Sequence, residues 1–442
     1  MGQPKSKHGR EAPESVSVGE NVLRLLSVTD DVNCMVTIEL YETQQATPLW
    51  ITVYMGDYDL TSHLISRGAS VNIACGNLKL TPLHIACYSH NVKMSQLLLE
   101  SGADPNTMDE WNMTPALYAV LCNEPFTVQQ LLSLLLKHGS NMNYGATKSL
   151  ADQYAFNQNI GELQCKYNGD LLTFVTQPQG PGSGVPLHYA AQNPYIPNEI
   201  LCMICDAGAE IDSQNLHGQT PLMCAITDIY YEYHQYIREH VQLLIARGAD
   251  VNCTDIRGWT PLHYACQRGG TTTMKTLIEH GADCNLLGSL GESPLWVLLC
   301  HGWKSASKFL IQNGCEMNQP IKSTSIVKIN NDVDLPRFGD ITPLEFLLCN
   351  KQYDLAKLLI LAGCRMPDNI DFCNQQGKDE KCIRKLQELK CITSYRYDPL
   401  RVRTLKELAA EQTRAAYSQA IGFKLDKVGA PQTIKDFILL EK

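Results

Sequence analysis

Short apolar segments recur along the chain, and each opens with nearly the same residues. Eight times a Thr, Ser or Val is followed by Pro and then by an apolar run, with Leu after the Pro in seven cases. A Thr or Ser hydroxyl caps a helix N-terminus and Pro presets φ at the first helical position, so each start predicts a helix. The residues that precede Pro are Thr47, Thr81, Thr114, Val185, Thr220, Thr260, Ser293 and Thr342. Val185 lacks the hydroxyl, so its helix start is expected to be weaker.

A glycine follows each start at a nearly fixed distance. In five of the eight repeats it lies 21 residues after the Thr or Ser. Glycine ends helices because it adopts the left-handed conformation without the strain that a Cβ would cause. The pattern therefore predicts two helices in each repeat and a turn after the second. The glycines are Gly68, Gly102, Gly139, Gly208, Gly248, Gly281, Gly314 and Gly363.

The spacing of the starts is that of a repeat protein. Thr81 and Thr114 are 33 residues apart, and so are Thr260 and Ser293. In this period and in the Thr-Pro-Leu-His segment the sequence resembles the ankyrin-repeat family. The resemblance implies an all-α repeat solenoid, in which antiparallel helix pairs carry β-hairpin fingers.

We predict three parts for the chain. Residues 1–19 form a flexible N-terminal segment, residues 20–397 an array of about eight repeats with an N-terminal half-repeat, and residues 398–442 a small C-terminal helical box. Two insertions, near 145–184 and 322–339, fall between the finger of one repeat and the first helix of the next. The first is interpreted as a long loop, with a degenerate repeat as the alternative. Since both lie at one edge, they are candidate partner contacts; tolerated surface loops are the alternative.

The Thr220 repeat is longer than the regular ones. Its glycine comes 28 residues after the start, and the extra residues surround four tyrosines. These rings could form an aromatic patch that faces a partner, or could pack between helices. The four are Tyr230, Tyr231, Tyr233 and Tyr236.

Composition narrows the class of protein. Of the 442 residues 44% are apolar, so a large core is expected. The formal net charge of −9 lacks the basic excess that is typical of nucleic-acid-binding proteins. The 18 cysteines are scattered, many in apolar runs, which favours buried thiols over disulfides. Cys202 and Cys205 have the spacing of a metal half-site, but no second pair completes four ligands, so packing is the preferred interpretation. With no long apolar stretch, we expect a cytoplasmic protein.

Three histidines, His84, His188 and His263, recur at the fourth position of the repeat start. In ankyrin repeats the ring at this position bridges neighbouring turns, so the resemblance implies a structural role. A catalytic role would need a nucleophile partner, which the repeat does not provide. We therefore expect a binding protein, not an enzyme, with no cofactor and no metal.

The C-terminal residues depart from the repeat. Thr404-Leu-Lys-Glu407 has the form of a capping box and predicts a helix, and a second short helix is predicted after Pro431. A helix pair after an ankyrin array resembles the SOCS box of the ankyrin-repeat and SOCS-box family. That family's elongin-binding motif aligns with Thr404, Leu405, Ala409 and Thr413; the last two differ from the family's Cys and aliphatic residue.

The resemblance implies a substrate-recognition subunit of an E3 ubiquitin ligase. The ankyrin stack would bind a target protein of unknown identity, and the box would recruit elongins B and C and a cullin-RING scaffold. The elongin contacts would be Leu405, Leu408 and Ala409, and the cullin contacts Pro431, Ile434 and Phe437. The alternative is a non-enzymatic scaffold or adaptor, which could be tethered to a membrane and whose C-terminal helices only cap the stack.

Two patterns predict modification. Met1-Gly2-Gln-Pro-Lys-Ser6 fits N-myristoylation at Gly2, and one acyl chain would give a weak, reversible membrane contact. Ankyrin repeats also resemble the substrates of an asparaginyl hydroxylase that reads a Leu, a following acid and the Asn of the finger. Asn252 and Asn285 meet that spacing.

Overall fold

The computed structural model describes residues 31–39, 43–122, 124–145, 184–227, 234–322, 340–350 and 352–364. All eight predicted starts open a helix pair, and each first helix begins at the predicted Pro. Each repeat is named below by the residue that precedes this Pro. The pairs are Pro48–Met55 with Tyr58–Ser66, Pro82–Tyr88 with Val92–Glu100, Pro115–Val120 with Pro125–Lys137, Pro186–Gln192 with Asn198–Asp206, Pro221–Ile226 with His234–Ala246, Pro261–Arg268 with Thr271–Glu279, Pro294–His301 with Lys304–Gln312, and Pro343–Cys349 with Tyr353–Ala362.

The chain divides into two compact units, residues 1–186 with 207–209 and residues 187–206 with 210–442. Within each unit, a first helix packs against its own second helix and against the first helix of an adjacent repeat. The first helices are buried nearly throughout, as are all residues from Pro48 to Val53. A second helix buries one face only, since Met94 and Leu98 are inaccessible whereas Lys93 is exposed. Helix-on-helix burial thus forms the core of each unit.

The hydroxyl caps predicted for the first helices are present in most repeats. The Trp50 N–H donates to Thr47 Oγ1 over 3.2 Å, and the Trp296 N–H donates to Ser293 Oγ over 3.4 Å. For Thr114 the prediction is wrong, because its buried hydroxyl has no hydrogen-bond partner within the described part of the chain. The Leu117 N–H donates to the Thr114 carbonyl oxygen instead, over 3.0 Å.

The glycine after each second helix is left-handed, as predicted. All eight have φ between +86° and +102°. At Gly248, where φ is +95°, a Cβ would find no atom within 4 Å, so space does not exclude a side chain there. The backbone conformation alone requires glycine, because a Cβ is strained at this φ.

Short antiparallel strand pairs bring together segments that are separated along the chain. Residues 36–39 pair with 43–46 immediately before the Thr47 repeat, with Val36 opposite Ala46. Ile321 pairs with Ile341 at the two ends of the second predicted insertion. At the first insertion, a side chain on Gly145 would collide with the backbone of Gly184. The two ends of each insertion are therefore adjacent. The residues within each insertion lie outside those described.

We expect Gly248→Ala to destabilise the protein by about 1 kcal/mol, because only left-handed strain is added and no contact is lost. Gly248→Asn should cost less, since Asn tolerates this conformation better than Ala. Urea unfolding of the two variants and the wild type measures the order. Equal stability of the Ala variant and the wild type would contradict the backbone explanation.

Candidate protein-interaction surface

Ring N–H groups at the fourth position of the repeat start join adjacent repeats. His84 Nδ1 accepts from the Thr81 N–H over 3.1 Å, so Nε2 carries the proton and lies 3.1 Å from the Met113 carbonyl oxygen. His263 Nε2 lies 3.3 Å from the Glu292 carbonyl oxygen. Each acceptor immediately precedes the start of the next repeat. The predicted bridging role of these rings is confirmed.

Tryptophan serves the same purpose where histidine is absent. Trp50 Nε1 donates to the Leu80 carbonyl oxygen over 2.9 Å, and Trp296 Nε1 donates to the Gln319 carbonyl oxygen over 2.8 Å. Sequence reasoning missed this role. The signal was present, because Trp is the other ring with an N–H that could stand at the histidine position.

Asparagine side chains of the fingers form a second set of links. Asn72 Nδ2 donates to the Gly102 carbonyl oxygen over 3.0 Å, and its Oδ1 accepts from the Asp104 N–H over 2.9 Å. Asn252 makes the same two bonds, to the Gly281 carbonyl oxygen and from the Asp283 N–H. Each asparagine therefore joins the end of its own repeat to the turn of the following one.

The finger turns are closed by a buried acid in two repeats. Asp255 Oδ1 accepts from the N–H groups of Arg257 and Trp259, each over 2.8 Å. Its Oδ2 accepts from the Tyr264 hydroxyl over 2.7 Å. Asp109 binds the equivalent groups of its own repeat, including the Tyr118 hydroxyl over 2.6 Å. Burial raises the pKa of Asp109, an effect that the Tyr118 hydrogen bond opposes.

The Ser293 repeat closes its turn differently. Gly288 stands where the fingers before Thr114 and Thr260 have Asp, and a Cβ there would lie 2.5 Å from the Glu292 carboxylate. Glu292 fills that space and accepts from the Leu290 N–H over 2.9 Å, the bond that Asp makes elsewhere. It also accepts from Trp259 Nε1 at 2.5 Å, across the finger boundary. In this turn the carboxylate therefore comes from position 292 instead of position 288.

Burial controls the titration of the bridging histidines. It lowers the pKa of both His84 and His263 to about 4, from an ordinary value of 6.5. Hydrogen bonds to the backbone carbonyls of Met113 and Glu292 oppose that shift without overcoming it. Both rings are therefore neutral at physiological pH and serve as hydrogen-bond bridges.

The cysteines behave as packing residues. Burial raises the pKa of Cys87 and of Cys224 to about 12, so these thiols are unreactive. Cys202 and Cys205 are half-buried free thiols on one helix. No cluster of three or more potential metal ligands occurs among the residues that the structure describes. In the same part of the chain, no helix has the length and apolar character to cross a membrane.

Most of the predicted site residues fall outside the described ranges. These are Gly2, Tyr230, Tyr231, Tyr233, Leu405, Leu408, Ala409, Pro431, Ile434 and Phe437. Only the backbone of Tyr236 is described, within the helix His234–Ala246.

The two predicted hydroxylation sites are described. Asn285, like Asn252, links adjacent repeats through its side chain, since its Oδ1 accepts from the Glu316 N–H over 2.7 Å. A hydroxylase would have to draw either side chain out of these bonds. Their modification stays a prediction.

Comparison with protein families assigns the repeats. A family model described as ankyrin repeats in three copies matches residues 16–109, 49–146, 187–287 and 231–321, which together make up more than half of the chain. The chain is an ankyrin-repeat protein. The predicted fold class is thereby confirmed.

Known proteins of different kinds are similar to parts of this chain. The human transient receptor potential cation channel subfamily A member 1 is 28% identical over 234 residues, 44% of this chain and 20% of the channel. Human ankyrin repeat and SOCS box protein 16 is 27% identical over 231 residues, 52% of this chain and 42% of that protein. The chain thus spans less than half the length of these two relatives.

One solved ankyrin repeat domain is a distant match to this chain. The crystal structure of the Bcl-3 ankyrin repeat domain matches with a TM-score of 0.41 and 23% identity, covering 65% of this chain and 98% of that domain.

Moving the carboxylate of the finger turn from position 292 to position 288 tests whether Glu292 takes the place of the Asp found in other turns. Glu292→Ala should lower the unfolding free energy by about 2–4 kcal/mol, because the Leu290 N–H and the Trp259 indole N–H lose their acceptor. Gly288→Asp alone should also destabilise, since two carboxylates would occupy one space.

The double variant Gly288→Asp, Glu292→Ala should be more stable than either single variant, because the introduced Asp would again accept from the turn. Urea unfolding of all four proteins gives the coupling free energy, expected to be about 1 kcal/mol or more in the stabilising direction. Additive losses would show that the two positions are independent.

Acid should weaken the fold through the bridging histidines. In the unfolded chain His84 and His263 take up a proton near pH 6.5, whereas in the fold their pKa is about 4, so the unfolded state binds more protons between these values. Stability should be complete above pH 6.5 and fall by up to about 3 kcal/mol per ring as the pH approaches 4. Urea unfolding across this range measures it.

The exposed His63, on a second helix, offers a matched control substitution. His263→Gln should reduce the slope of stability against pH, and His63→Gln should leave it unchanged. Equal slopes in the wild type and the His263→Gln variant would contradict the assignment.

Proposed function

We propose that this ankyrin-repeat protein is a substrate-recognition subunit of an elongin–cullin–RING E3 ubiquitin ligase. The observation that carries the proposal is the order of its parts: an ankyrin array followed by residues 404–437, which resemble a SOCS box. The similarity to a human ankyrin repeat and SOCS box protein over 52% of this chain supports it. The protein itself would not catalyse the transfer of ubiquitin.

The array would bind the target. Ring and asparagine bonds between repeats fix the fingers relative to one another within each unit, as at His84 and Asn72. A surface that is already ordered loses little conformational entropy when a partner binds. The repeats therefore supply a preorganised protein-binding face.

The C-terminal box would recruit the ligase. Leu405 is the proposed anchor for an apolar pocket of elongin C, supported by Leu408 and Ala409. Ala409 replaces the family's Cys, and Thr413 replaces an aliphatic residue, so two of the four anchors are smaller or more polar. Pro431, Ile434 and Phe437 would contact the cullin. Binding would then depend more heavily on Leu405 than in a box with all four anchors.

A second candidate function is a scaffold without a ligase, and one observation favours it. The repeats are as similar to a cation channel as to a SOCS-box protein, with 28% and 27% identity. Identity within the repeats therefore does not distinguish these roles. In the scaffold case the C-terminal residues would not bind elongin.

Capture of elongins by the full-length chain separates the two functions. Affinity-tagged wild type should retain purified elongin B–elongin C complex, and Leu405→Asp should abolish retention, because a carboxylate cannot enter an apolar pocket. Lys406→Asp, a neighbouring substitution outside the motif, should retain it. Failure of the wild type to bind would exclude the ligase role and leave the scaffold.

A further inference from the structure

Two neighbouring finger turns of the second unit present one continuous surface. The Ile256 N–H donates to the His217 carbonyl oxygen over 3.1 Å. A Cβ on Gly218 would lie 2.7 Å from the Ile256 nitrogen, so the two backbones are in close contact. Residues 216–217 and 256–257 therefore lie side by side. We name Leu216, His217, Ile256 and Arg257 the tip surface.

The tip surface is apolar and exposed at its centre. Ile256 is 70% exposed and Leu216 is 47% exposed, although both are large aliphatic residues. Single exposed aliphatic residues are common, but two on adjacent turns form a patch.

The basic groups of the tip surface have no exposed acid in the same finger turns, residues 215–219 and 255–259. His217 and Arg257 are exposed. The carboxylates of these turns and of the next finger turn, residues 288–292, belong to Asp255 and Glu292; both are buried and bind N–H and O–H groups of the fingers themselves. The exposed charge of the outward face is therefore the Arg257 guanidinium, because the acid that pairs with it, Asp255, is buried. Its charge complements an acidic partner.

The Arg257 side chain is held in position before any partner binds. Nη2 donates to the Tyr264 hydroxyl over 2.9 Å, and Nε is 3.3 Å from Asp255 Oδ2. The guanidinium carbon lies 4.3 Å from the centre of the Trp259 ring. These contacts leave half of the side chain exposed and do not use Nη1. A fixed guanidinium is suited to binding a carboxylate.

The first unit lacks this combination among its described finger turns. There the cation at the finger tip, Lys79, is paired with Glu110 of the next finger at 2.7 Å. The Glu110 carboxylate is accessible there, whereas the acid that pairs with Arg257 is only 1% exposed, so an incoming carboxylate would be repelled at the Lys79 tip.

We propose that the tip surface binds an acidic segment of a partner protein, in which an Asp or Glu lies close to a large apolar residue. The carboxylate would pair with Arg257, and the apolar side chain would cover Ile256 and Leu216. This inference rests on the protein-binding role of the array and is independent of ligase recruitment through the C-terminal box.

Peptide selection tests the chemistry without a known partner. Full-length protein is used to select from a phage library of random 12-residue peptides, and the enriched peptides are synthesised. We expect an Asp or Glu beside Leu, Ile, Phe or Met in most of them, with affinity that falls as salt is raised. Enrichment without acidic residues, or no enrichment, would overturn the proposal.

Variants then locate the binding site. Ile256→Asp and Arg257→Gln should each weaken binding of a selected peptide about tenfold or more, as measured by fluorescence anisotropy. Leu287→Asp is the matched control, because Leu287 is 43% exposed on the same unit but outside the tip surface. Urea unfolding confirms that each variant is folded. Binding that survives Ile256→Asp would place the site elsewhere and refute the proposal.

The same variants distinguish this proposal from the ligase role. Elongin capture should be unchanged in Ile256→Asp, and peptide binding should be unchanged in Leu405→Asp. Loss of one activity without the other shows which of the two proposals fails.

Discussion

Hydrogen bonds that begin in one repeat and end in the next set the register of each stack. Apolar burial holds helices together but is not directional, so it fixes their spacing better than their alignment. The ring N–H at the start of a first helix and the asparagine after a second helix supply direction at both ends of a repeat, as His263 and Asn252 do. The fingers are positioned by these bonds, and so is any partner that binds them.

The features that the sequence predicts well are those governed by local backbone chemistry. Pro at a helix start and glycine at a left-handed helix end act within one turn of chain, and all eight helix pairs follow them. The missing hydroxyl cap of Thr114 is also a local effect, because a backbone carbonyl oxygen replaces the hydroxyl as the acceptor. This change of acceptor leaves the start of the helix unchanged.

The features that the sequence did not predict depend on residues about 30 positions apart. The Trp259 indole N–H reaches Glu292 of the next finger, so this role cannot be recognised from one repeat alone. The tip surface is of the same kind, since it requires residues 216–217 and 256–257, which are distant in the sequence, to lie side by side. The proposed elongin and cullin contacts rest on the resemblance of residues 404–437 and not on the repeat geometry.

The antiparallel pair of Ile321 and Ile341 makes the geometry of the array independent of the length of the insertion between them. Because the chain enters and leaves at one rung, residues between could be added, deleted or exchanged without displacing the helices on either side. A repeat protein with such a closed junction can acquire a new recognition loop by grafting. Variation between related chains would then be tolerated at this junction more readily than at the finger turns, where every added residue would break a bond to the next repeat.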